Sequence, residues 1–364
     1  MTLAALVIAG CAGGLYTPTR PADPPALDAA FFASKDEGPR MRVHLIDVGQ
    51  GAATLIEFSC AAVLIDTGGE SNKRHDSTKN LVEYLNAFFQ SRPDLDRTLA
   101  LMVLTHPHID HTRGAPVVFG EFTVKNLVTD GLTNSSGGKE QGQVIRAAKR
   151  ANIGVEAVDA RAVKSGGLTS PVIDPVACED GDPDIRVLWG SPARTDVNWL
   201  KKEYDNGNNH SVVVKVTLGK SSLMITGDLE EDGIDAMLER HKNTSALDAD
   251  VYQVGHHGSY NATTKSLLRA ISPKVALIAA GPAWRKQSWS AFAYGHPRLV
   301  TVELLEAALT GPPRGATVRA LGVRGRQFEP REMTAPIYTS AWDSDVIVTM
   351  FADGRLAVKT RRGS

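Results

Sequence analysis

Residues 103–115 read VLTHPHIDHTRGA and place three histidines and an aspartate within six positions. Histidine is scarce, with ten among 364 residues, so composition alone does not account for the cluster. An apolar, strand-like run leads directly into its members, His106, His108, Asp110 and His111. Zinc, manganese and iron accept neutral imidazoles and carboxylates as ligands. A turn that gathers these side chains at a strand end therefore predicts a metal site.

Apolar patterning around the cluster predicts strands alternating with helices. From residue 41, MRVHLIDV, ATLIEF and AAVLID are strand-like, and residues 77–91 carry apolar side chains at helical spacing. The later half repeats this order, with the hairpin SVVVKVTLG–SSLMITGD, the helix LEEDGIDAMLERH and a strand ending at His256 and His257. We therefore expect an α/β fold of the αββα type, with two sheets packed face to face and helices outside.

The first forty residues differ in composition from the rest. MTLAALVIAGCAGG resembles the tail of a bacterial lipoprotein signal, whose IAGC box would place Cys11 at the lipidated position. No Lys or Arg precedes the apolar stretch, which is short for a signal. An exported lipoprotein or periplasmic protein is expected, and a cytoplasmic one if the signal is not real. Residues 12–40 are predicted as a proline-rich tether, and residues 41–364 as one folded domain.

Charge and cysteine content restrict the function classes. A net charge of −1 gives no overall basic field toward nucleic acid. Residues 314–331 are a local exception with five arginines and one glutamate, either a solvated face or a patch that steers phosphates. A disulfide between Cys60 and Cys178 is possible outside the cytosol, but two cysteines alone do not decide whether it forms. No C-x-x-C is present, so a metal site must use histidines and carboxylates.

The motif H-x-H-x-D-H resembles the signature of the metallo-β-lactamase superfamily. Further elements follow in order: LIDTGG supplies Asp66, MITGDL supplies Asp228, and VGHHGS supplies His256 and His257. With DVGQG, NNHS and YGHP, the chain is similar to the ComEC-like branch, the soluble domain associated with DNA uptake, over roughly residues 41–360.

The resemblance implies two divalent ions, Zn²⁺ or Mn²⁺, that lower the pKa of a bridging water and stabilise charge on the attacked centre. The first ion would be held by cluster histidines, the bridging carboxylate and one later histidine: His106, His108, Asp228, and one of His256, His257 or His210. The second would take the remaining cluster side chains and the same carboxylate: Asp110, His111 and Asp228. Asp110 and Asp228 are therefore the expected catalytic carboxylates.

Other residues near these motifs are candidates for structural support or for contact with a substrate. Asp66 is expected to orient ligands from behind them. Asp47 and Gln50 either fix a tight turn or contact substrate. The NNHS residues Asn208, Asn209 and Ser211 either donate hydrogen bonds to a phosphate or cap the next strand. His296 of YGHP is a candidate contact for a phosphate oxygen.

Two departures from the family pattern leave the substrate open. Ala52 stands where the family usually has aspartate in DVGQGDA, and DHTRG replaces DHIGG, which places Arg113 beside the site. The leading hypothesis is a phosphodiesterase or nuclease acting on a phosphoester, with single-stranded DNA as candidate substrate. The alternatives are a small-ester hydrolase acting on a phosphorylcholine ester, lactone or lactam, and a non-catalytic tethered binding protein, which Ala52 favours.

Overall fold

Two β-sheets pack face to face in this computed structural model, which describes residues 16–34, 37–73 and 75–363. Cys11 and the predicted signal segment lie outside the described residues. No helix among the described residues is both long and apolar enough to cross a lipid bilayer.

The first sheet has eight strands in the order β10-β9-β7-β3-β2-β1-β19-β20. Its strands are β1 Arg40–Leu45, β2 Thr54–Glu57, β3 Ala62–Ile65, β7 Leu101–Leu104, β9 Asn126–Thr129, β10 Gly154–Ala157, β19 Val346–Phe351 and β20 Leu356–Thr360. Strands β1, β2 and β3 form the predicted antiparallel meander, and β7 then pairs parallel to β3. The C-terminal hairpin returns to this sheet, where β19 pairs antiparallel with β1.

The second sheet has six strands in the order β11-β12-β13-β14-β15-β18. Its strands are β11 Asp184–Trp189, β12 Val213–Leu218, β13 Ser221–Ile225, β14 Val251–Gln253, β15 Val275–Ile278 and β18 Ile337–Thr339. The predicted hairpin is β12–β13, and β13, β14 and β15 run parallel. Three two-stranded ribbons lie outside both sheets: β4 Ser71–Asn72 with β5 His75–Asp76, β6 Thr98–Leu99 with β8 Thr123–Val124, and β16 Thr317–Arg324 with β17 Gln327–Met333.

Helices cover the outer faces of both sheets. They are α1 Ala29–Phe32, α2 Ser77–Ser91, α3 Ile109–Thr112, α4 Ala115–Glu121, α5 Gly138–Arg150, α6 Lys201–Tyr204, α7 Glu231–Arg240, α8 Lys265–Ile271, α9 Ala291–Tyr294, α10 Leu299–Ala308 and α11 Ser340–Asp343. Helix α2 matches the segment that apolar spacing predicted. Asp76 begins it by accepting hydrogen bonds from the backbone of Thr78 and Lys79, which would otherwise lack partners.

Alternation along the strands explains the layers. In β3, Val63 and Ile65 join the core between the sheets, whereas Leu64 packs outward with residues of α2. In β13, Leu223 faces the shared core, and Met224 packs outward with residues of α7. Because side chains of a strand alternate between its faces, apolar runs such as AVLI are buried on both sides. The predicted αββα sandwich is confirmed.

The expected tether is in part a component of the fold. Phe32 is 4% exposed and its ring lies 5.4 Å from that of Tyr84. Its carbonyl accepts a hydrogen bond from Arg42, and Lys359 donates to the carbonyl of Ala30. The domain boundary at residue 41 is therefore corrected: two adjacent phenylalanines supply enough apolar surface to hold α1 against the first sheet.

Cys60 and Cys178 form a disulfide that closes a sequence separation of 118 residues. Cys60 lies between β2 and β3 of the first sheet, and Cys178 lies in the loop before β11 of the second. The bond joins the two sheets covalently and restricts the unfolded chain.

Glu57 carries the principal buried ion-pair network of the first sheet. One carboxylate oxygen accepts from Arg42 at 2.8 Å and the other from Arg92 at 2.7 Å, while His44 Nε2 lies 3.2 Å away. Burial raises the pKa of Glu57, but His44 and the two arginines outweigh it and lower the pKa to about 2. The carboxylate is therefore held ionised within a partly buried network.

We expect Glu57→Gln to lower the free energy of unfolding at pH 7 by about 3 kcal/mol, because buried arginines lose their counter-charge. Since the pKa of Glu57 lies below its ordinary value of 4.5, the contribution is present above pH 4.5 and disappears as the pH falls through about 2. Urea unfolding of both proteins between pH 7 and pH 2 measures this. Glu83→Gln, in an exposed pair with Lys79, should change stability by about 0.5 kcal/mol or less. A difference from wild type that stays constant with pH would contradict the assignment.

Candidate metal centre

Four strand ends deliver the cluster to one edge of the sandwich. In the first sheet, parallel β3 and β7 end just before Asp66 and the 106–111 segment. In the second, parallel β13 and β14 end just before Asp228 and His256. The sheets are joined close by, where the backbone of Val212 donates to the carbonyl of Thr105 at 2.8 Å. Because carboxyl ends of parallel strands meet at one edge, residues far apart in sequence converge there.

Asp228 lies at the centre of the histidines and is 2% exposed. Its Oδ1 is 3.1 Å from Nε2 of His111. Its Oδ2 is 3.5, 3.8 and 3.9 Å from the Nε2 atoms of His257, His256 and His106. Four imidazoles from both sheets therefore surround one buried carboxylate.

Two groups of three side chains have ligand atoms within 4.8 Å of one another. One group is His106, His111 and Asp228, and the other is Asp110, His111 and His257. Asp110 Oδ2 is 3.3 Å from His257 Nε2. The structure differs here from the expected division of ligands, since His111 belongs to both groups and His257 lies with Asp110.

The histidine nitrogens that face the cluster fit a cation. The Nε2 atoms of His111 and His257 are buried and have no hydrogen-bond partner among the described residues. Each ring is fixed through its other nitrogen, since His111 Nδ1 lies 2.7 Å from Asp66 and His257 Nδ1 lies 2.8 Å from the carbonyl of Ala279. Donation from Nδ1 leaves the lone pair of Nε2 directed inward, as in metal-ligating histidines. The residues present therefore suit a divalent metal ion.

Asp66 supports the cluster from behind. Both of its oxygens accept from Thr105, one from the backbone and one from the hydroxyl, each at 2.8 Å. The same carboxylate holds His111 Nδ1 and is 1% exposed. Its φ of 58° lies in the left-handed region, which aspartate tolerates better than most residues. Asp66 thus fixes the orientation of His111.

Opposite charges set the protonation of the cluster. Burial raises the pKa of Asp228, but the neighbouring His111, His257 and His256 outweigh it and hold the pKa well below its usual range. Burial and the nearby His111 and His108 depress the pKa of His106, which is therefore neutral at pH 7. Asp228 and His106 are therefore in the protonation states that a metal ion requires. Against the effect of burial, Asp228 and Asp66 instead raise the pKa of His111 well above its usual value, so this ring would release a proton when a metal ion binds.

His108 and His256 lie at the margin of the cluster. His108 Nδ1 is 3.0 Å from His106 Nε2, and its ring is partly exposed to the cleft. His256 is 24% exposed, and its Nδ1 lies 3.3 Å from Glu230. Of the tandem pair, His257 is the more deeply buried and is within 3.5 Å of both Asp110 and Asp228.

His210 does not belong to the cluster, which corrects its candidate ligand role. Its Nδ1 lies 2.8 Å from Ser191 and its Nε2 lies 2.7 Å from the carbonyl of Tyr204, so both nitrogens are occupied. The ring is held by the backbone of α6, the short helix before the NNHS segment.

Three other candidates also lie behind the site rather than facing a ligand. The Asn209 amide donates to the carbonyl of Glu203, and the Ser211 hydroxyl accepts from the backbone of Asp228 at 3.1 Å. Asp47 accepts from the backbone of Gly49 and thereby fixes the predicted turn. The substrate-contact reading is corrected for all three, because protein groups already occupy these polar atoms.

A cleft of about 490 Å³ opens above the cluster. Gln50 and His296 line one wall, where Gln50 Nε2 donates to His296 Nδ1 at 3.1 Å. Arg113 also lines the cleft and donates through Nε to the carbonyl of Gly69. Three residues that the sequence predicted as substrate contacts therefore line the cleft where a substrate would lie: Gln50, Arg113 and His296.

Motif reasoning missed one residue beside the cluster and two residues that line the cleft. Glu230, two residues after Asp228, accepts from the amides of Asn206 and Asn208 and approaches His256. Trp289 and Tyr294 line the cleft mouth. Their segment, WRKQSWSAFAY, interleaves aromatic and basic residues, and that pattern could have identified them.

We expect Asp66→Asn to weaken metal binding roughly 10–100-fold, because a neutral amide lacks the negative charge that holds and orients the His111 ring. Competition of the purified chain with a chromogenic chelator measures this affinity. His210→Gln removes an imidazole outside the cluster and should leave the affinity unchanged. Equal affinities for Asp66→Asn and wild type would argue against the orienting role.

Comparisons with known proteins agree with this geometry. A family model described as the metallo-beta-lactamase superfamily matches residues 46–281, more than half of the chain. The protein is similar to ComE operon protein 3 of Bacillus subtilis, 30% identical over 277 residues, and to Recombination protein 2 of Haemophilus influenzae, 28% identical over 243 residues. These matches cover 72% and 67% of this chain but only 30% and 24% of those relatives.

Among solved structures, the metallo-beta-lactamase fold protein YhfI from Bacillus subtilis aligns with a TM-score of 0.40 and 11% identity. The alignment covers 75% of this chain and 94% of that one. The resemblance to ComEC-like proteins predicted from the motifs is confirmed by the curated relatives. The chain belongs to the metallo-β-lactamase superfamily.

Proposed function

We propose that this protein is a phosphodiesterase that uses two divalent metal ions, Zn²⁺ or Mn²⁺. The observation that carries the proposal is the buried Asp228, which lies within 4 Å of the Nε2 atoms of four histidines at the base of an open cleft. Cations bound there would polarise a phosphoryl oxygen and lower the pKa of a water molecule. The two carboxylates assigned to the chemistry, Asp110 and Asp228, both contact His257.

The chain's own residues can position a phosphate above this centre. Burial, with the nearby His257 and His256, keeps the pKa of His296 well below its usual value, so the ring is neutral at pH 7. Since Gln50 donates to its Nδ1, the proton of His296 resides on Nε2, which makes no hydrogen bond to a described residue. Nε2–H can therefore donate to a phosphoryl oxygen without carrying a charge that would repel the cations.

Arg113 supplies fixed positive charge to the same cleft. Its Nε is engaged with the Gly69 carbonyl, which holds the guanidinium at the cleft. A guanidinium matches the oxygens of a phosphoester and has no counterpart in a neutral lactam. The arrangement therefore favours a phosphoester over a lactam or lactone.

The relatives point to nucleic acid as the substrate class. The name of the Haemophilus influenzae relative, Recombination protein 2, refers to recombination, a process that acts on DNA. Because this chain spans about a quarter to a third of those proteins, their whole activity is not transferred here. The proposed substrate is a phosphodiester of DNA, with a nuclease as the specific form of the enzyme.

We also propose that the protein is exported and held at a membrane through a lipid on Cys11. The disulfide between Cys60 and Cys178 supports an oxidising compartment, because thiols of cytosolic proteins are kept reduced. Mass spectrometry of the membrane fraction should find Cys11 lipidated at a new N-terminus. An unmodified Met1 in that fraction would contradict the anchor.

We expect Asp228→Ala to lower the rate of phosphodiester cleavage by roughly a thousandfold or more, since several kcal/mol of charge stabilisation depend on the ions it would hold. The assay follows release from labelled single-stranded DNA by the full chain reloaded with manganese or zinc. Asp235→Ala is the matched control, because it removes an exposed aspartate of α7 far along the helix from the cluster.

An unchanged rate for Asp228→Ala would refute the proposed mechanism. Cleavage of a phosphorylcholine ester or lactone, with none of DNA, would overturn the nuclease assignment in favour of a small-ester hydrolase. No turnover of any substrate by the metal-loaded chain would instead support the non-catalytic binding protein that Ala52 suggested.

A further inference from the structure

A line of aromatic rings leads from solvent to the metal centre. Trp289 is 79% exposed, and its ring lies 6.3 Å from that of Tyr294. Tyr294 stacks on His296 at 5.5 Å with the planes 24° apart, and His296 lies 6.2 Å from His257. All four rings line the same cleft. A large exposed tryptophan is thus connected through ring contacts to a residue that faces the proposed metal site.

The ribbon β16–β17 packs beside this ring line. The backbone of Arg326, at its turn, donates to the carbonyl of Phe292 at 2.9 Å, and Phe292 stacks on Phe328 with the planes 13° apart. On the other side of α9, Gly322 donates to the carbonyl of Pro297. The ribbon belongs to neither main sheet, and its turn is fixed next to the segment that carries Tyr294 and His296.

In the described chain, the ribbon's arginines without an acidic partner are those at its turn. Of the five arginines in residues 314–331, Arg314 and Arg319 pair with Asp343, and Arg331 pairs with Glu303 and Glu306. The two arginines that remain are exposed and have no acidic partner in the part of the chain that the structure describes: Arg324 and Arg326. The ribbon's two glutamates, Glu329 and Glu332, lie opposite Leu321 and Val318 in the ladder and form no ion pair with Arg324 or Arg326 among the described residues.

Two further cations border the same segment. Lys286 is exposed and lies 5.6 Å from the ring of Phe292. Arg298 lies 5.8 Å from the exposed ring of Tyr260, and its guanidinium donates to the carbonyl of Val323 on the ribbon. Unpaired positive charge and exposed aromatic surface are therefore concentrated at one side of the cleft, although the chain as a whole is nearly neutral.

We propose that these groups form a docking surface for single-stranded nucleic acid, with Trp289 and Tyr294 stacking on bases and Arg324 and Arg326 contacting the backbone. Surfaces that bind single strands combine aromatic stacking with positive charge along the backbone. Bases of a duplex are already stacked on one another, so an exposed indole favours an unpaired strand. The inference rests on the proposed phosphodiesterase for its placement beside the site, but strand binding itself requires no turnover.

The surface predicts a specific loss of base stacking in Trp289→Ala. Binding of the full chain to a dye-labelled oligothymidylate with phosphorothioate linkages, which keep their charge and resist hydrolysis, is followed by fluorescence anisotropy. We expect the dissociation constant to rise about fivefold to a hundredfold. An abasic strand of equal length should bind wild type and Trp289→Ala alike. Because Trp289 is mostly exposed, the variant should fold normally.

The backbone contacts are tested with Arg324→Gln/Arg326→Gln. This variant should weaken binding of both the normal and the abasic strand. The slope of log affinity against log salt concentration should become shallower by about 1.4, because each lost phosphate contact on a single strand contributes ~0.7 to that slope. The matched control is Arg355→Gln/Lys242→Gln, which removes the same charge from exposed ion pairs outside the ribbon. It should bind both strands as wild type does.

The outcomes separate this proposal from the proposed function. Unchanged binding by Trp289→Ala and by the arginine variant would overturn the docking surface even if the metal-loaded chain cleaves DNA. Equal weakening by the control pair would also overturn it, because general charge would then explain the effect. Loss of binding in both test variants, without any phosphodiester cleavage, would support the surface and refute the phosphodiesterase.

Discussion

A single buried carboxylate, Asp228, determines how the two sheets must meet. An isolated charge at that depth would cost several kcal/mol, so its surroundings have to compensate it. Histidines from both sheets do so, with His111 and His106 arriving from the first and His256 and His257 from the second. The separation and register of the sheets are therefore tied to the geometry of one small cluster. A cation between these groups would compensate the charge further.

The layers could be predicted from the sequence because they depend on local alternation. Runs such as AVLID carry their own burial pattern, and the H-x-H-x-D-H motif places four candidate ligands within six residues. The addition of β19 to the first sheet could not be predicted in this way. It pairs with β1 across about three hundred residues, and an apolar strand carries no mark of its distant partner. Residues 29–32 were misassigned for a related reason, since the surrounding prolines concealed two adjacent phenylalanines that bind the core.

Within the site, the sequence identified candidate residues from the chemistry of their side chains. It did not show which way each side chain is oriented in the fold. His210 has the right side chain beside the right motif, yet a backbone carbonyl and a serine occupy both ring nitrogens. Asn209 and Ser211 likewise support the chain that carries Asp228. The arginine-rich stretch could be read either way, because pairing with Asp343, Glu303 and Glu306 is a property of the folded ribbon. Sequence gives the charge, and the fold decides which charges remain available.

The disulfide and the metal centre join the same two sheets at opposite ends. Cys60 lies before β3, whereas Asp66 lies after it, so the bond to Cys178 is at the edge remote from the cluster. The bond therefore holds that end of the two sheets together independently of any cation at the cluster. Less of the binding free energy of the ion is then consumed in ordering the chain. A chain held in this way would stay folded while a bound ion is exchanged, so the identity of the ion would follow the supply of metals around the protein.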